Sequence, residues 1–411
     1  MTRPTPLPAK VLLSVLVLLM VLSCSIFSPA NHTGGSETRP YQTTKPGASP
    51  VVRSSSVPIL LPTGHPTKGA SNPNLPTATS SGGTSVDQIS IDYTYTTNLI
   101  TVVYPLYGSV LDDFVVVDLK NDNPGSVRIV VTTDIEGYTD EAMDTVDIDG
   151  GGQAEVRQNP LLKSEAIDNL NDAKPASFHI KVVMLDNGEE KLLLDETQDT
   201  LVYGRRDFPW AIEGFTPHED FELLAAMVTP NDPEVEGLLR AAADHISSGI
   251  MTSGYGDVEN DEDGSVWDRL EAIWNAEDAD YNLTYISTMV TFAPGDVQRI
   301  RLPAEVLDQQ SGNCVELAIL FAAAAEALGL ETALIRIPGH AYMAVRIDEV
   351  NANYYVIETT MIGRYDFSDA VDKGSQEFED ALPHIQNGDQ YYDWITVQDA
   401  RADGILPLPW H

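Results

Sequence analysis

The sequence predicts a multidomain chain, in which a β-sandwich is followed by an α+β domain, behind an export signal and a tether. Three observations predict it. Apolar and polar residues alternate with period two from about Val86 to Gly204. Helical spacing takes over after Pro209-Trp210, and a second group of strand-like runs begins at Thr332. At 411 residues the chain has room for about two folded units.

Residues 1–23 read as a signal peptide. Arg3 and Lys10 precede Val11–Leu22, an uncharged apolar stretch too short to span a bilayer. Val21-Leu22-Ser23-Cys24 closes it and resembles a bacterial lipobox, whose cysteine is lipidated and becomes the mature N-terminus. A simple cleaved signal or an uncleaved anchor is the plainer alternative. Each of these puts the body of the protein outside the cytoplasm. Residues 24–86 read as a disordered tether. Of the 62 residues from 25 to 86, 36 are Ser, Thr, Pro or Gly, too polar a stretch to offset its ordering entropy.

Residues 87–205 carry the strand pattern. Ile89–Tyr95 alternates strictly; Phe114–Leu119 and Val127–Val131 are β-branched runs. Phe178–Leu185, the turn Asp186-Asn187-Gly188 and Lys191–Leu194 spell a hairpin. Short strands with turns between them point to an immunoglobulin-like sandwich. Asp147-Ile148-Asp149-Gly150 has oxygen donors for calcium, but a plain acidic loop is the commoner use of such a turn.

Residues 206–411 begin with helices. Asp232-Pro233 is a helix start, followed by Val235, Leu238, Leu239, Ala242 and Ile246 at three-to-four spacing. A second helix, Val266–Asn275, puts Trp267, Leu270, Ile273 and Trp274 on one face. The acidic stretch between them, 257–264, reads as a solvated loop, since an EF-hand starting at Glu259 would have Leu270 at its twelfth position.

Ser311-Gly312-Asn313-Cys314 then runs into an apolar helix, Val315–Leu328, closed by Gly329. A sulfur in the first helical turn faces unpaired amide N–H groups and the positive end of the helix dipole, both of which favour negative charge. Strands follow at Thr332–Ile337, Ala341–Ile347 and Tyr354–Glu358. His340 heads one of them and Glu358 ends the next, so antiparallel pairing brings these two together. The helix is rich in small residues (Ala318, Ala322 to Ala325), which lets it approach a sheet closely. Cysteine, histidine and carboxylate in this order suggest a base-activated thiol nucleophile. The plainer reading of a cysteine in an apolar helix is a small buried hydrophobe.

Gln298–Leu307, Gly312–Ala318, Ala327–Ala333 and Pro338–Ala341 together resemble the transglutaminase-like superfamily of papain-related cysteine enzymes. The likeness is strong over about 298–363 and weaker over about 265–380. It implies Cys314 as nucleophile, His340 as base and Glu358 as the group that orients the imidazole. It also implies an oxyanion hole built from Gln298 and the Cys314 N–H. The superfamily usually has Asp in a D-P-T-like motif. Glu358-Thr359-Thr360 resembles the variant of some bacterial members, and its added methylene requires the backbone to sit slightly further back. No cofactor and no metal is expected, and His218, His245 and His384 stand apart from any paired cysteine. Arg299 and Arg301 read as structural ion pairs.

Charge narrows the partners. The chain has 62 acidic and 24 basic residues, and six of the basic ones fall before residue 87 against Glu37 alone. Such a surface repels phosphate backbones and anionic membranes, which argues against nucleic acid and leaves the N-terminal lipid as the membrane contact. The sequence thus predicts an exported, lipid-anchored bacterial enzyme that acts on amide bonds through an acyl-thioester, by hydrolysis or acyl transfer. Peptides or proteins of the cell wall or surface are the reachable substrates. The alternative is a binding or scaffold protein that keeps the same folds with little turnover.

Overall fold

The computed structural model describes residues 85–186, 188–255, 265–288, 292–348 and 353–409. The signal peptide, Cys24 and all but the last two residues of the tether lie outside them. So do Asn187 of the hairpin turn and the acidic stretch 257–264.

The strand-rich part consists of two facing sheets. β1 (Ile89–Tyr95), β3 (Val115–Asn121) and β6 (Gln153–Gln158) pair in the order β1-β3-β6. β2 (Asn98–Leu99), β4 (Val127–Ile135), β5 (Ala142–Ile148), β7 (Lys174–Asp186) and β8 (Glu189–Val202) pair in the order β2-β8-β7-β4-β5. All these pairings are antiparallel except β2 with β8. Alternate residues of both sheets meet in one apolar cluster, with Tyr93, Val117 and Leu119 on one side and Ile129, Val131, Ile180 and Met184 on the other. Phe178 joins the layers, stacked 4.9 Å from Tyr95 and edge-on 5.5 Å from Phe114. Asp186 pairs with Glu189, closing the expected hairpin. Asp147 lies in β5 and binds Arg128 at 2.7 Å.

After the short α1 (Ser164–Ile167) and β9 (Asp207–Pro209), the helical part begins with α2 (Pro217–Glu222), α3 (Pro233–Ala243) and α4 (Val266–Ala279). The Asp232 side chain caps α3 by accepting from the Glu234 N–H at 2.8 Å. Ile246 is buried as expected but lies beyond the end of that helix. β10 (Thr284–Tyr285), β11 (Val297–Arg299), α5 (Pro303–Gln309) and β12 (Ser311–Gly312) lead into α6 (Cys314–Ala327). Then come β13 (Thr332–Ile337), β14 (His340–Arg346), β15 (Tyr354–Ile357), α7 (Phe367–Asn387), β16 (Asp393–Thr396) and α8 (Val397–Ala402).

β13 to β16 form an antiparallel sheet in the order β15-β14-β13-β16. It is covered on both faces, which is why its strands read as near-continuous apolar runs. Leu334, Met343, Val345 and Ile357 face α6, which is buried on all sides from Cys314 through Ala325. Ala333, Ile335, Tyr342, Ala344 and Val356 face the other way, onto Phe378 and Leu382 of α7. Neither α7 nor β16 was among the elements expected from the sequence. α7 carries one apolar stripe (Phe367, Ala370, Val371, Gly374, Phe378, Ala381, Leu382) in an otherwise polar helix of 21 residues.

The contact that sets α7 against the sheet is made by Gly374. A Cβ there would lie 2.6 Å from the Val356 carbonyl oxygen and 2.9 Å from the Glu358 nitrogen, so helix and strand backbones touch directly. Gly374→Ala is expected to lower stability by about 1–3 kcal/mol, the usual cost of overfilling a packed contact, as measured by the urea midpoint. An unchanged midpoint would mean that helix and strand part without cost.

Candidate active site

Cys314 is the first residue of α6 and is 3% exposed. Asn313 caps the helix, its side chain accepting from the Glu316 N–H at 3.1 Å, while the Glu316 carboxylate accepts from the Asn313 N–H at 2.9 Å. The same carboxylate, 2% exposed, also accepts from the Arg301 backbone N–H at 2.9 Å and from its guanidinium at 2.9 and 2.7 Å. Removing the cation would strand a buried charge. This network fixes where the helix starts and ties the 298–301 segment to its first turn.

His340 enters through the Pro338-Gly339 turn. Proline followed by Gly339 at φ +75° is the pattern of a type II turn, and Ile337 pairs with His340 across it. Glu358 follows the last residue of β15, which pairs antiparallel with β14 in the register Met343 to Ile357. The expected meeting takes place: His340 Nε2 lies 2.6 Å from Glu358 Oε2. The other oxygen, Oε1, accepts from the Thr360 N–H at 3.0 Å and from the Thr360 hydroxyl. The Glu358 N–H donates to the Ala370 carbonyl of α7 at 3.0 Å. With Nε2 committed to Glu358, the other group that acts on the imidazole by hydrogen bond and charge is Cys314.

These contacts shift the imidazole and the carboxylate in opposite directions. Burial works against the imidazolium, but hydrogen bonds and charge from Cys314 and Glu358 outweigh it and hold His340 up at about 10. Burial likewise opposes the Glu358 carboxylate, yet His340 and Thr360 hold it down at about 2. The buried Tyr342 ring stacks on the imidazole at 5.7 Å, and its hydroxyl has no partner among the described residues. Glu377 of α7 brings a further carboxyl, with Oε2 3.9 Å from His340 Nε2. His340, Glu358 and Glu377 have ligand atoms within 4.8 Å of one another, the right kind of set for a divalent ion. Such an ion would have to take Nε2 away from Glu358.

Gln298 lies on β11, which pairs antiparallel with β9. Trp210 Nε1–H donates to its carbonyl oxygen at 3.1 Å, which fixes the amide and turns Nε2 the other way. That nitrogen is buried and has no acceptor among the described residues. A fixed, unspent N–H donor is what an oxyanion site requires. Arg299 pairs with Asp172 and, less closely, Asp207. His218, His245 and His384 each meet a single carboxylate, respectively Asp393, Asp280 and Asp389.

A cavity of about 770 Å³ lies elsewhere, between His218, Arg336, Tyr391 and Trp394, and includes none of Cys314, His340 or Glu358. Sequence reasoning missed Glu316, Trp210 and Glu377. The Asn313-x-x-Glu316 spacing was a readable capping signal. Nothing in the sequence pointed to the other two, because each reaches the site from an element distant along the chain.

No family model matches the chain, and no curated protein sequence matches it. Among solved structures, a protein from Archaeoglobus fulgidus is similar over 29% of this chain and 90% of its own, at 8% identity and TM-score 0.18. A chain described as a "Putative Cysteine Protease" from Cytophaga hutchinsonii is similar over 60% of this chain and 75% of its own, at 13% identity and TM-score 0.21. Likenesses this loose define no shared fold.

The linked protonation has a stability signature. The raised His340 contributes fully below its ordinary 6.5, and that contribution is lost as pH climbs towards about 10. The lowered Glu358 contributes fully above its ordinary 4.5 and is lost as pH falls towards about 2. Denaturant unfolding is therefore expected to show both contributions intact between about pH 4.5 and 6.5, with His340→Gln flattening the alkaline decline. An alkaline decline identical in that variant would place the linkage on other groups.

Proposed function

We propose that this protein is an exported thiol enzyme that opens amide bonds through Cys314, His340 and Glu358, by way of an acyl-thioester. The observation that carries the reading is an imidazole held between a helix-start sulfur and a buried carboxylate. The proton shared by Cys314 and His340 rests on the imidazole, and the sulfur attacks the carbonyl carbon. As the C–S bond forms, the carbonyl π pair moves onto oxygen, which accepts from the Cys314 N–H and the Gln298 amide. The intermediate collapses with cleavage of the C–N bond, and His340 returns its proton to the departing nitrogen. Water or a primary amine then gives a proton to His340 and attacks the thioester, and the C–S bond breaks to leave an acid or a new amide. Glu358 keeps the ring oriented and compensates its charge throughout.

The strand orders β1-β3-β6 and β2-β8-β7-β4-β5 support an immunoglobulin-like sandwich over 87–205, with the transglutaminase-like domain at 206–411. Export and lipid attachment at Cys24 rest on the N-terminal sequence, and peptides or proteins outside the cell are the substrates that location offers.

Iodoacetamide labelling at neutral pH is expected to be stoichiometric and faster than for a free cysteine. It should vanish in Cys314→Ser and slow in His340→Ala. Gln298→Ala is expected to label normally, since alkylation builds no oxyanion, while kcat on a peptide falls about 100-fold or more, roughly 3 kcal/mol of barrier. Wild-type labelling at the rate of an ordinary thiol would defeat the enzyme and favour the scaffold.

A further inference from the structure

Glu377 stands partly buried beside His340 and Glu358 and has no role in the steps above. Its Oε1 meets Lys373 Nζ at 2.8 Å, one turn back on α7. Its Oε2 is buried, lacks a donor among the described residues, and lies 3.9 Å from His340 Nε2. Glu358 Oε2 already occupies that nitrogen at 2.6 Å. Two carboxyl groups this close to one imidazole do not both ionise at low cost, and a single proton between them removes the repulsion.

We propose that Glu377 is a positioning residue that holds a proton and donates it in a hydrogen bond to Glu358, fixing the carboxylate that orients His340. The proton sits on the oxygen that otherwise lacks a partner. Burial, then the hydrogen bond to Glu358, push the Glu377 carboxyl up, whereas Glu358 is held down. The groups facing the pair are His340 and Tyr342 from β14, Thr360 after β15, Lys373 and Asp380 from α7, and Cys314 across the imidazole. The bond has two effects. It directs the long Glu358 side chain, whose Oε1 is already held by Thr360, so that Oε2 faces the ring. It also keeps a second full negative charge away from Nε2. An ionised Glu377 would tighten the imidazolium's grip on the proton it must give to the leaving nitrogen.

The proposal rests on the thiol-enzyme reading for its catalytic consequence but not for its protonation claim, so the test reads both. In the full chain, infrared difference spectra at pH 7 between wild type and Glu377→Gln are expected to show one protonated-carboxyl C=O band that the variant lacks. Glu377→Gln keeps a donor, so kcat/KM should stay within about threefold of wild type and the His340 NMR titration midpoint should not move. Glu377→Met removes the donor. It should cut kcat about tenfold with KM little changed and move the His340 midpoint upward, because Glu358 becomes the stronger base. The proposal is overturned if Glu377 is ionised at pH 7, if both variants lose activity equally, or if Met behaves as wild type. A wild type without turnover would remove the thiol-enzyme reading alone, leaving the infrared and NMR results to decide the shared proton.

Discussion

A buried carboxylate, Glu358, is the constraint on which the rest of the site depends. At 3% exposure it has given up its hydration, and such a charge persists only when every direction around it offers a donor or a positive charge. Thr360 supplies two donors to one oxygen and His340 occupies the other. The position of the residue is set by backbone alone: its N–H binds Ala370, and Gly374 lets α7 lie directly on the strand that ends at it. The glycine contact, the Thr359–Met361 turn and the imidazole orientation are therefore parts of one arrangement. A disturbance in any of them reaches the ring through a single side chain.

The sulfur is fixed by a separate network that meets the first only at the imidazole. Glu316 accepts from the cap residue Asn313 and from both the backbone and the guanidinium of Arg301. This buried pair is weak evidence for stability as such, since desolvation offsets much of its attraction. Its consequence is registry: the β11 segment bearing Gln298 cannot slide relative to the first turn of α6 without breaking three hydrogen bonds. Cys314, Gln298 and His340 thus come from different elements, and each element is held by contacts of its own.

Much of this was legible in the sequence. The strands Ile89–Tyr95 and Thr332–Ile337 have the expected bounds, and α6 starts one residue earlier than the apolar run suggested, at the cysteine itself. The encounter of His340 with Glu358 followed from strand order, because antiparallel neighbours bring the start of one to the end of the next. What stayed hidden came from elements without a loud pattern. α7 has a polar majority and an internal Pro383, so its apolar stripe only becomes a signal once there is a sheet for it to cover. Trp210 is 88 residues from Gln298, and no local spacing announces their bond. Glu377 looks like any surface glutamate until the fold puts it beside an imidazole.

The choice of glutamate rather than the shorter aspartate at 358 becomes intelligible on these terms. Its extra methylene must be accommodated, and a longer side chain has one more torsion to fix, which by itself would loosen the orientation of the imidazole. The compensation lies in how many groups grip the carboxylate: Thr360 twice, His340 once, and Glu377 within reach on the side facing α7. The strand end bearing Glu358 is held back against that helix, and the same helix supplies the extra carboxyl, so the longer arm and its additional anchor belong to one packing solution. The strongly negative surface does not disturb this balance, because charges more than about 8 Å away are largely screened by physiological salt while the buried groups act on each other almost unscreened. Local contacts, not the chain's overall acidity, set the proton positions in the site.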